Sequence, residues 1–422
     1  MPPPTTHALD PALTTLAASP TRTGPPRIDL AARSSVSVLA IGGQHQFAHI
    51  VPVACELERR TPGSVTVFTC TADDGAAIAR IAQSLALPTP RIVEMILPSW
   101  LTAMLPGNSA KLARLARYAC QIARARVVLC AERTSTILRR TMRRFPPLLH
   151  IPHGAGDRGV GFEKRFACFD DVLVAGHKDR DRLVSAGTVR AERCHVTGPI
   201  KLAALFRKGI VRPKLFANDR PVLLYNPHFA SRFRSFEAFL RKLVDAVVAD
   251  GRYNLIVAPH VRLASTLSED ERAAAQALAV EDRVLIDMGS ARCCDMTYTL
   301  AADLYIGDVS SQVYEYLVLP RPCLFVDPHG VDWEYDANYA MWHFGPVIAP
   351  EKDPIAAIDR AFADHPAYVR WQKQRMQYAI DGISWDMRGQ PMLSASDPID
   401  VAADRVGEWL AAQAPDRARS AA

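Results

Sequence analysis

Residues 301–327 read AADLYIGDVSSQVYEYLVLPRPCLFVD, the pattern of a strand, a helix and a second strand. Leu304–Ile306 is a short apolar run that predicts a buried strand, and the glycine and aspartate after it predict a turn. A helix is expected to begin at Ser310 and to end before the two prolines that follow. Cys323–Val326 is a second apolar run and predicts the next strand. A unit of this kind indicates an α/β sheet.

The start of this helix is the first candidate binding site. Asp308, Ser310 and Ser311 stand where the first backbone N–H groups lack an intrahelical partner and the helix dipole favours negative charge. Hydroxyls beside free amides suit a phosphate or pyrophosphate. Glu315 follows about one turn after Ser311 on the same face, where its carboxylate can accept hydrogen bonds from ribose hydroxyls. The alternative is an ordinary serine-capped helix with a solvated glutamate.

Length and composition bound the class of protein. The 422 residues exceed what one compact core usually holds, so two domains are expected. Hydrophobic residues make up 49% and charged residues 22%, which is typical of a globular protein with a buried core. The formal net charge of +6 does not indicate a nucleic-acid-binding protein. Nine cysteines without a CxxC pair, two of them adjacent at Cys293 and Cys294, indicate a reduced, cytoplasmic protein.

The sequence also lacks the patterns of a membrane-spanning helix and of a secretory signal. We expect no membrane-spanning helix, because no apolar run approaches the ~20 residues that such a helix needs. We expect no secretory signal, because the N-terminus lacks a basic segment followed by an apolar one.

The order of apolar and amphipathic segments predicts the domain organisation. Strands that alternate with helices indicate parallel, doubly wound sheets. We therefore predict a disordered, proline-rich tail at 1–35, a first α/β domain at 36–205, a linker at 206–220, a second α/β domain at 221–385, and a final helix with a polar tail at 386–422 that crosses back to the first domain.

A glycine turn follows the first predicted strand. Gly42 and Gly43 come after the apolar run that starts at Val36, so they lie at the carboxyl end of a strand, where open α/β sheets bind ligands. His45 and His49 fall on one face of the helix that follows and are candidate contacts to a substrate. Surface or capping roles are the alternative for both histidines.

A second loop of the first domain carries the candidate base. Leu148–Ile151 predicts a strand, and the loop after it contains His153, Gly154 and Asp157. A histidine at a strand's carboxyl end, followed by glycines that let a ligand approach the backbone, is suited to proton transfer. A structural histidine is the alternative.

Two strands of the second domain also end in a histidine. His228 follows the strand that begins at Val222, and His260 follows the strand that begins at Asn254. Both are expected at the edge that carries the helix start at Ser310. Arg262 can add positive charge to a phosphate site there. None of these histidines has the sequence spacing of a metal ligand to another, and no metal is expected.

The region Lys111–Arg144 is strongly basic. It holds ten lysines and arginines and a single acidic residue, Glu132. One interpretation is a solvated helix face. The other is a surface that meets an anionic polymer or the phosphate head groups of a membrane, so that the protein would be peripheral at the inner face of the cell membrane.

Together these segments resemble the CDP-glycerol glycerophosphotransferase family, of the teichoic-acid polymerase type, and more distantly the other GT-B glycosyltransferases and the UDP-N-acetylglucosamine 2-epimerases. The stretch 301–327 is similar to the family's nucleotide-site motif with its paired serines. VAPH at Val257–His260, HIPHGAGDRG after Leu149 and HFGPVIAP at His343–Pro350 are similar to three further family segments. Order and spacing agree over 123–350.

The resemblance implies a GT-B fold, with two Rossmann-like domains facing across a cleft, and roles for particular residues. His153 would be the base that deprotonates the acceptor hydroxyl. His260 and Arg262, with Ser310, Ser311 and Gln312, would hold the donor's phosphates, and Glu315 would bind the ribose.

The implied reaction is attack of an acceptor hydroxyl on an activated phosphodiester or sugar carbon, with a nucleotide as leaving group. The donor would be CDP-glycerol or a nucleotide sugar, used as a substrate without a bound cofactor. The acceptor would be a polymer or a lipid-linked glycan of the cell envelope. The sequence departs from the family pattern at Pro152 and Val309, where the family has Trp and Tyr.

Two other functions stay open at this point. One is a hexosyltransferase or an epimerase that uses a nucleotide sugar. The other is a non-catalytic protein on the same scaffold.

Overall fold

The computed structural model describes residues 34–105, 107–157, 163–264, 266–393 and 396–413. Residues 1–33, which make up almost all of the predicted tail, lie outside the described residues, as does the chain after 413.

The first sheet has seven parallel strands among the described residues. They are β1 (Val36–Ala40), β2 (Val65–Thr69), β3 (Arg91–Glu94), β4 (Val127–Cys130), β5 (Leu148–His150), β6 (Asp171–Val174) and β7 (Cys194–Val196). Their order across the sheet is β3-β2-β1-β4-β5-β6-β7. The sheet grows outward in both directions from β1 and β4, which is the doubly wound arrangement that the alternating pattern predicts.

Helices cover both faces of this sheet. They are α1 (Phe47–Arg60), α2 (Ala72–Ser84), α3 (Ser99–Met104), α4 (Gly107–Ile122), α5 (Thr136–Thr141), α6 (His177–Ser185) and α7 (Ile200–Lys208). Strand residues alternate between the faces: Val36 and Val38 pack with α1 and α7, whereas Leu39 packs with α4 and α5. Both faces are therefore apolar, which explains why the strands read as continuous hydrophobic runs.

The second sheet has six parallel strands in the described part of the chain. They are β8 (Val222–Asn226), β9 (Asn254–Val257), β10 (Val284–Ile286), β11 (Leu304–Gly307), β12 (Cys323–Val326) and β13 (Val347–Ile348), in the order β10-β9-β8-β11-β12-β13. The helices of this domain are α8 (Phe236–Asp250), α9 (Glu269–Gln276), α10 (Thr297–Ala301), α11 (Gln312–Tyr316) and α12 (Pro354–Ala379).

The chain ends on the first domain. A small antiparallel pair, β14 (Ser384–Trp385) and β15 (Pro391–Met392), precedes α13 (Pro398–Ala412). Ile399 and Val406 of α13 are fully buried in the core of the first domain. Arg405 and Trp409 donate hydrogen bonds of 2.6 and 2.8 Å to the buried carboxylate of Asp171. The predicted fold, two doubly wound α/β domains with a C-terminal helix crossing back, is confirmed.

Two helix predictions need correction. The helix expected to begin at Ser310 spans only Gln312–Tyr316. Pro320 has no N–H to donate to the Tyr316 carbonyl, which accepts from the Arg321 guanidinium at 2.6 Å instead. Because proline usually ends a helix, the sequence around Pro366 predicts two helices, at 354–363 and 368–379, but the structure has one helix, α12, which continues through Pro366.

Candidate active site

A row of four histidines crosses from one domain to the other. His45 follows β1 in a short 3₁₀ helix (Gln44–Gln46), and His153 follows β5. His228 follows β8 and His260 follows β9. Ring centroids are 5.4 Å apart for His153 and His45, 6.0 Å for His45 and His260, and 5.8 Å for His260 and His228. The strand ends of both sheets thus meet, as expected for parallel strands whose carboxyl ends share an edge.

The hydrogen bonds of His153 fix its tautomer. Its Nδ1 lies 3.0 Å from the carbonyl oxygen of Ala131, which can only accept, so Nδ1 carries the proton. Nε2 therefore carries a lone pair, and the side-chain amide of Gln46 lies 3.4 Å from it. A neutral histidine held by a backbone carbonyl, with its free nitrogen exposed at the domain interface, has the arrangement of a general base.

The surroundings keep His153 and His45 uncharged. Desolvation lowers the pKa of His153, and the cations Arg133 and Arg262 add to that effect, while the hydrogen bond to Ala131 and the charge of Glu132 oppose it. Desolvation, with repulsion from His153 and His260, lowers the pKa of His45 to about 3. Both rings are thus neutral at pH 7, the state in which His153 can accept a proton.

At Nε2, His260 carries an N–H donor, whereas His153 carries an acceptor lone pair. The backbone N–H of Arg262 donates to His260 Nδ1 at 3.2 Å, so the neutral ring carries its proton on Nε2. The Arg262 guanidinium lies 4.3 Å from the ring centroid of Phe229, and that ring is 4.8 Å from the ring of His260. One N–H donor and one cation are therefore held together on the second domain, a combination that suits an anion.

The start of α11 meets the glycine loop of the first domain. Ser310 is buried, and its hydroxyl accepts the N–H of Gln312 at 3.3 Å. Ser311 lies against Gly154 and Gly156, since a Cβ at Gly154 would come within 3.0 Å of Ser311 Oγ. Gly154 also has φ of +81°, so both space and backbone conformation require glycine there. Of the two predicted phosphate-binding serines, only Ser311 is partly exposed.

Three residues predicted to line the cleft are instead buried. Asp308 is fully buried, and its carboxylate accepts from the backbone N–H groups of His228, Ser235 and Val309 at 2.7–2.8 Å. Burial raises the pKa of Asp308 to about 6 against these donors, which lower it. Asp308 therefore organises the loop after β8, and His228, also fully buried, packs within that loop. The expectation that both line the cleft is corrected.

Asp157 is the third buried residue, and it joins the two domains. It forms an ion pair of 2.7 Å with Lys178 of α6 and accepts from the Tyr314 hydroxyl of α11 at 2.9 and 2.8 Å. Lys178 also lies 4.3 Å from the centre of the Tyr314 ring. The sequence places Asp157 in a glycine-rich loop, but its partners come from elsewhere in the chain and bury it.

Glu315 is also engaged across the interface. Its carboxylate pairs with Lys201 Nζ of α7 at 2.7 Å, and both side chains are largely buried. Gln312, next to it, donates to the Cys293 carbonyl at 2.8 Å. A ribose bound by Glu315 would share this carboxylate with Lys201.

Gly42 and Gly43 allow Gln46 to lie next to His153, the candidate base. A Cβ at Gly42 would overlap the Gln46 side chain, and Gly43 has φ of +105°. The two glycines thus allow Gln46 to fold back toward His153. Gln46 and Lys201 are site residues that the sequence reasoning missed, because neither stands in a pattern that distinguishes it from an ordinary helix residue.

A cavity of about 700 Å³ adjoins the histidine row between the domains. From the first domain it is lined by His45 and by side chains of α1, α2 and α7, including Lys201 and Lys208. From the second domain it is lined by the segment 289–296 and by Val261. Its walls are mostly apolar with a few basic groups, and its volume suits a nucleoside-sized molecule.

Two kinds of feature are absent from the described residues. No group of three or more His, Cys, Asp and Glu side chains within them is arranged to hold a metal ion. No helix in the described ranges has the length and apolar character needed to cross a membrane.

Comparison with known proteins identifies related folds only. No protein-family model and no curated protein sequence matches the chain. The wall teichoic acid polymerase TagF, in a structure soaked with CDPG, is similar with a TM-score of 0.58 at 13% identity, over 90% of this chain and 89% of that one. The S. aureus MnaA–UDP co-structure has a TM-score of 0.58 at 12% identity, over 89% and 96%.

A third similar structure is the UDP-GlcNAc 2-epimerase from Neisseria meningitidis bound to UDP-GlcNAc, with a TM-score of 0.57 at 10% identity, over 88% of this chain and 99% of that one. Identities this low carry the fold and not the reaction. The chain has the two-domain GT-B fold that these structures share.

Proposed function

We propose that the protein is a transferase that moves a polyol phosphate or a glycosyl group from a nucleoside-diphosphate donor to an acceptor hydroxyl. The observation that carries the proposal is the paired placement of His153 and His260. A neutral imidazole whose Nε2 carries a lone pair beside the Gln46 amide stands on the first domain, and an N–H donor beside Arg262 stands on the second. A base facing an anion-binding group is the minimum that such a transfer needs.

Each part of the donor would contact the second domain or enter the cavity. The diphosphate would contact His260, Arg262 and Ser311, with Gln312 beside them, and the nucleoside would enter the cavity lined by 289–296. Glu315 would bind the ribose while it remains paired with Lys201. TagF and MnaA support a nucleotide ligand, since their structures contain CDPG and UDP.

His153 performs the proton transfer. The acceptor hydroxyl displaces the Gln46 amide from Nε2 and gives its proton to that nitrogen as its oxygen attacks the donor. The imidazolium that forms is stabilised by the Ala131 carbonyl and by Glu132. His260 and Arg262 stabilise the negative charge that builds up on the leaving phosphate. General base catalysis of this kind contributes about 10²- to 10⁴-fold to the rate.

A donor screen tests the proposal. Thermal shift with CDP-glycerol, CDP-ribitol, UDP-sugars and GDP-sugars should find a stabilising ligand, because a ligand at about 100 times its Kd adds about 2.7 kcal/mol to stability. The nucleotide released with an acceptor then identifies the bond that breaks. Release of CMP from CDP-glycerol means attack at phosphorus, and release of a nucleoside diphosphate means attack at a sugar carbon. A chain that binds none of these donors would contradict the proposal.

A nucleotide-sugar enzyme without an external acceptor is the second candidate. The structure is as similar to the epimerase from N. meningitidis, at a TM-score of 0.57, as to TagF, at 0.58. An epimerase would convert UDP-GlcNAc without any acceptor present, so the same screen separates the two. A non-catalytic protein would keep its cellular role after His153→Ala.

A further inference from the structure

We propose that α3 and the exposed side of α4 form a docking surface for an anionic lipid bilayer. The surface consists of Ile96, Trp100 and Met104 with Leu112 and the exposed basic side chains of α4, and we call it the α3–α4 surface. It extends the sequence-based expectation for Lys111–Arg144: its basic side chains come from the first part of that region, and Ile96, Trp100 and Met104 lie before it.

Large apolar side chains are exposed together in this segment. Trp100 is 64% exposed, Met104 71%, Ile96 61% and Leu112 42%. The helix α3 has no buried residue at all, so the core does not explain its apolar composition. Clusters of exposed apolar side chains in a folded protein mark surfaces that bind a membrane, another protein or a ligand, and the charge around them distinguishes these partners.

Contacts hold the segment against α4. The backbone N–H of Ile96 donates to the Tyr118 hydroxyl at 3.1 Å, and Arg114 Nε donates to the Met95 carbonyl at 3.0 Å. The chain leading into α3 is therefore fixed on α4, and the apolar side chains are presented beside the basic residues of that helix.

The charge around these side chains fits an anionic surface. Between Glu94 and Glu132 the sequence contains no acidic residue, while Lys111, Arg117 and Arg124 lie on or just after α4. Arg117 and Arg124 are exposed. Tryptophan at the level of the head groups and basic residues beside them are the composition of interfacial membrane contacts.

Other basic residues of the region are engaged within the protein. Arg126 donates to the Leu410 carbonyl of α13, Arg133 pairs with Glu163 at 3.4 Å, and Arg139 pairs with Asp170. Arg126, Arg133 and Arg139 therefore contribute less to docking than Arg117 and Arg124, whereas Arg143 and Arg144 are exposed and lie outside the α3–α4 surface.

The position of this surface relates it to the active site. α3 follows the carboxyl end of β3, and His45 and His153 follow the carboxyl ends of β1 and β5 in the same parallel sheet. A bilayer bound at α3 would therefore lie along the edge of the first domain at which the histidine row opens.

Vesicle sedimentation of the full-length chain tests the proposal. Wild-type protein should sediment with phosphatidylcholine–phosphatidylglycerol vesicles at low salt, less at high salt, and little with phosphatidylcholine alone. The variant Trp100→Ser with Met104→Ser should lose about tenfold or more of the bound fraction. Because α3 has no buried residue, the melting temperature of this variant should equal that of the wild type.

Matched controls come from the second domain. Tyr335→Ser removes an apolar side chain that is 96% exposed, and it should bind vesicles like the wild type. Arg117→Glu with Arg124→Glu should abolish binding, whereas Arg241→Glu with Arg370→Glu, also exposed, should retain it. Brominated lipids should quench the fluorescence of the wild type more than that of Trp100→Phe.

Three results would overturn the proposal. The first is wild-type protein that stays in the supernatant at low salt. The second is a Trp100→Ser, Met104→Ser variant that sediments like the wild type. The third is a wild-type dimer in light scattering, dispersed by the same substitutions without any vesicle binding, which would make the surface a contact between copies of the chain.

Discussion

His153 shows how one residue's surroundings set its chemistry. Its Nδ1 is held by the Ala131 carbonyl in the loop after β4, its ring is 5.4 Å from the ring of His45, and the charges of Arg133 and Arg262 act on it. Burial disfavours the imidazolium of His153 before a proton arrives from a substrate, and the charges of Arg133 and Arg262 add to this effect, whereas the Ala131 carbonyl opposes it. The result is a base that is available at neutral pH without being strongly basic.

The pH dependence of turnover follows from this. The pKa of His153 is lowered from its usual value of about 6.5, so the neutral form persists below pH 6.5 and is lost only as the pH falls through the lowered value. We expect kcat to stay level from pH 8 down to about pH 6.5 and to fall at lower pH. If half of the activity were already lost at pH 6.5 or above, His153 would not be the general base.

Stability must be measured at each pH as the control. His45, His49 and His150 also have lowered pKa values because they are buried as neutral rings. Below pH 6.5 the unfolded chain binds protons that the folded chain does not, so stability falls on acidification by about 1.4 kcal/mol per pH unit for each such group. The melting temperature should therefore decrease from pH 6.5 downward, and His150→Gln should reduce that slope.

At the scale of elements, Arg321 connects the ends of α10 and α11. Its guanidinium donates to the carbonyls of Thr299, Leu300, Ala302, Tyr316 and Leu319 at 2.5–3.4 Å. Burial lowers the pKa of Arg321, and the carbonyls and the Tyr316 ring at 4.0 Å compensate the buried charge. The end of α10, the end of α11 and the turn before β12 are thereby tied to one side chain.

Arg321→Met should therefore be strongly destabilising. It would leave buried carbonyls without a donor, and we expect the free energy of unfolding to fall by about 3 kcal/mol or more. Denaturant unfolding measures the change, and Arg241→Met, an exposed arginine on α8, is the matched control with an expected change within about 0.5 kcal/mol. Equal stability of the two variants would show that Arg321 does not hold these ends together.

The sequence predicted strands buried on both faces better than edge strands. β12 has the predicted bounds, since every one of its positions is apolar and buried. β3, with the sequence RIVE, was missed because it is an edge strand with two exposed ends. The continuity of α12 through Pro366 was not predictable either. It depends on tertiary contacts on both sides of the proline, with the second sheet at Ile358 and with the interface core at Met376.

In the candidate site, too, some residues could be predicted from the sequence and others could not. His45, His153 and His260 were predicted because a strand's carboxyl end is readable from sequence, and the structure brings them together. The partners of Asp157 and Glu315 were not. Tyr314 meets Asp157 and Lys201 meets Glu315 only when the two domains pack, and Lys178 meets Asp157 only when α6 packs beside the loop after β5. No local pattern encodes which buried carboxylate will meet which cation.

For the whole molecule, α13 links the end of the chain to the first domain. Its Ile399, Ala402, Ala403 and Val406 are fully buried against α1 and α7. On the surface of α1, Arg60 pairs with Asp400 at 3.2 Å and also with Asp404. The first domain's core is therefore incomplete until the last helix has folded onto it.

Ile399→Ala tests this dependence. Loss of a fully buried isoleucine should lower the free energy of unfolding by about 2–5 kcal/mol. Glu408→Ala, on the exposed side of the same helix, should change it by less than about 0.5 kcal/mol. A small effect of Ile399→Ala would mean that α13 contributes little to the first domain.

The central claim is that the cleft binds a nucleoside diphosphate on the second domain while the first domain supplies the base. Calorimetric titration of CDP and UDP into the wild type, His153→Ala and His260→Ala tests it most directly, with the exposed His177→Ala as control. The account predicts that one nucleotide binds the wild type, that His260→Ala weakens binding about tenfold, equal to about 1.4 kcal/mol, and that His153→Ala and His177→Ala leave it nearly unchanged. Absence of binding to the wild type, or His260→Ala with wild-type affinity, would contradict it.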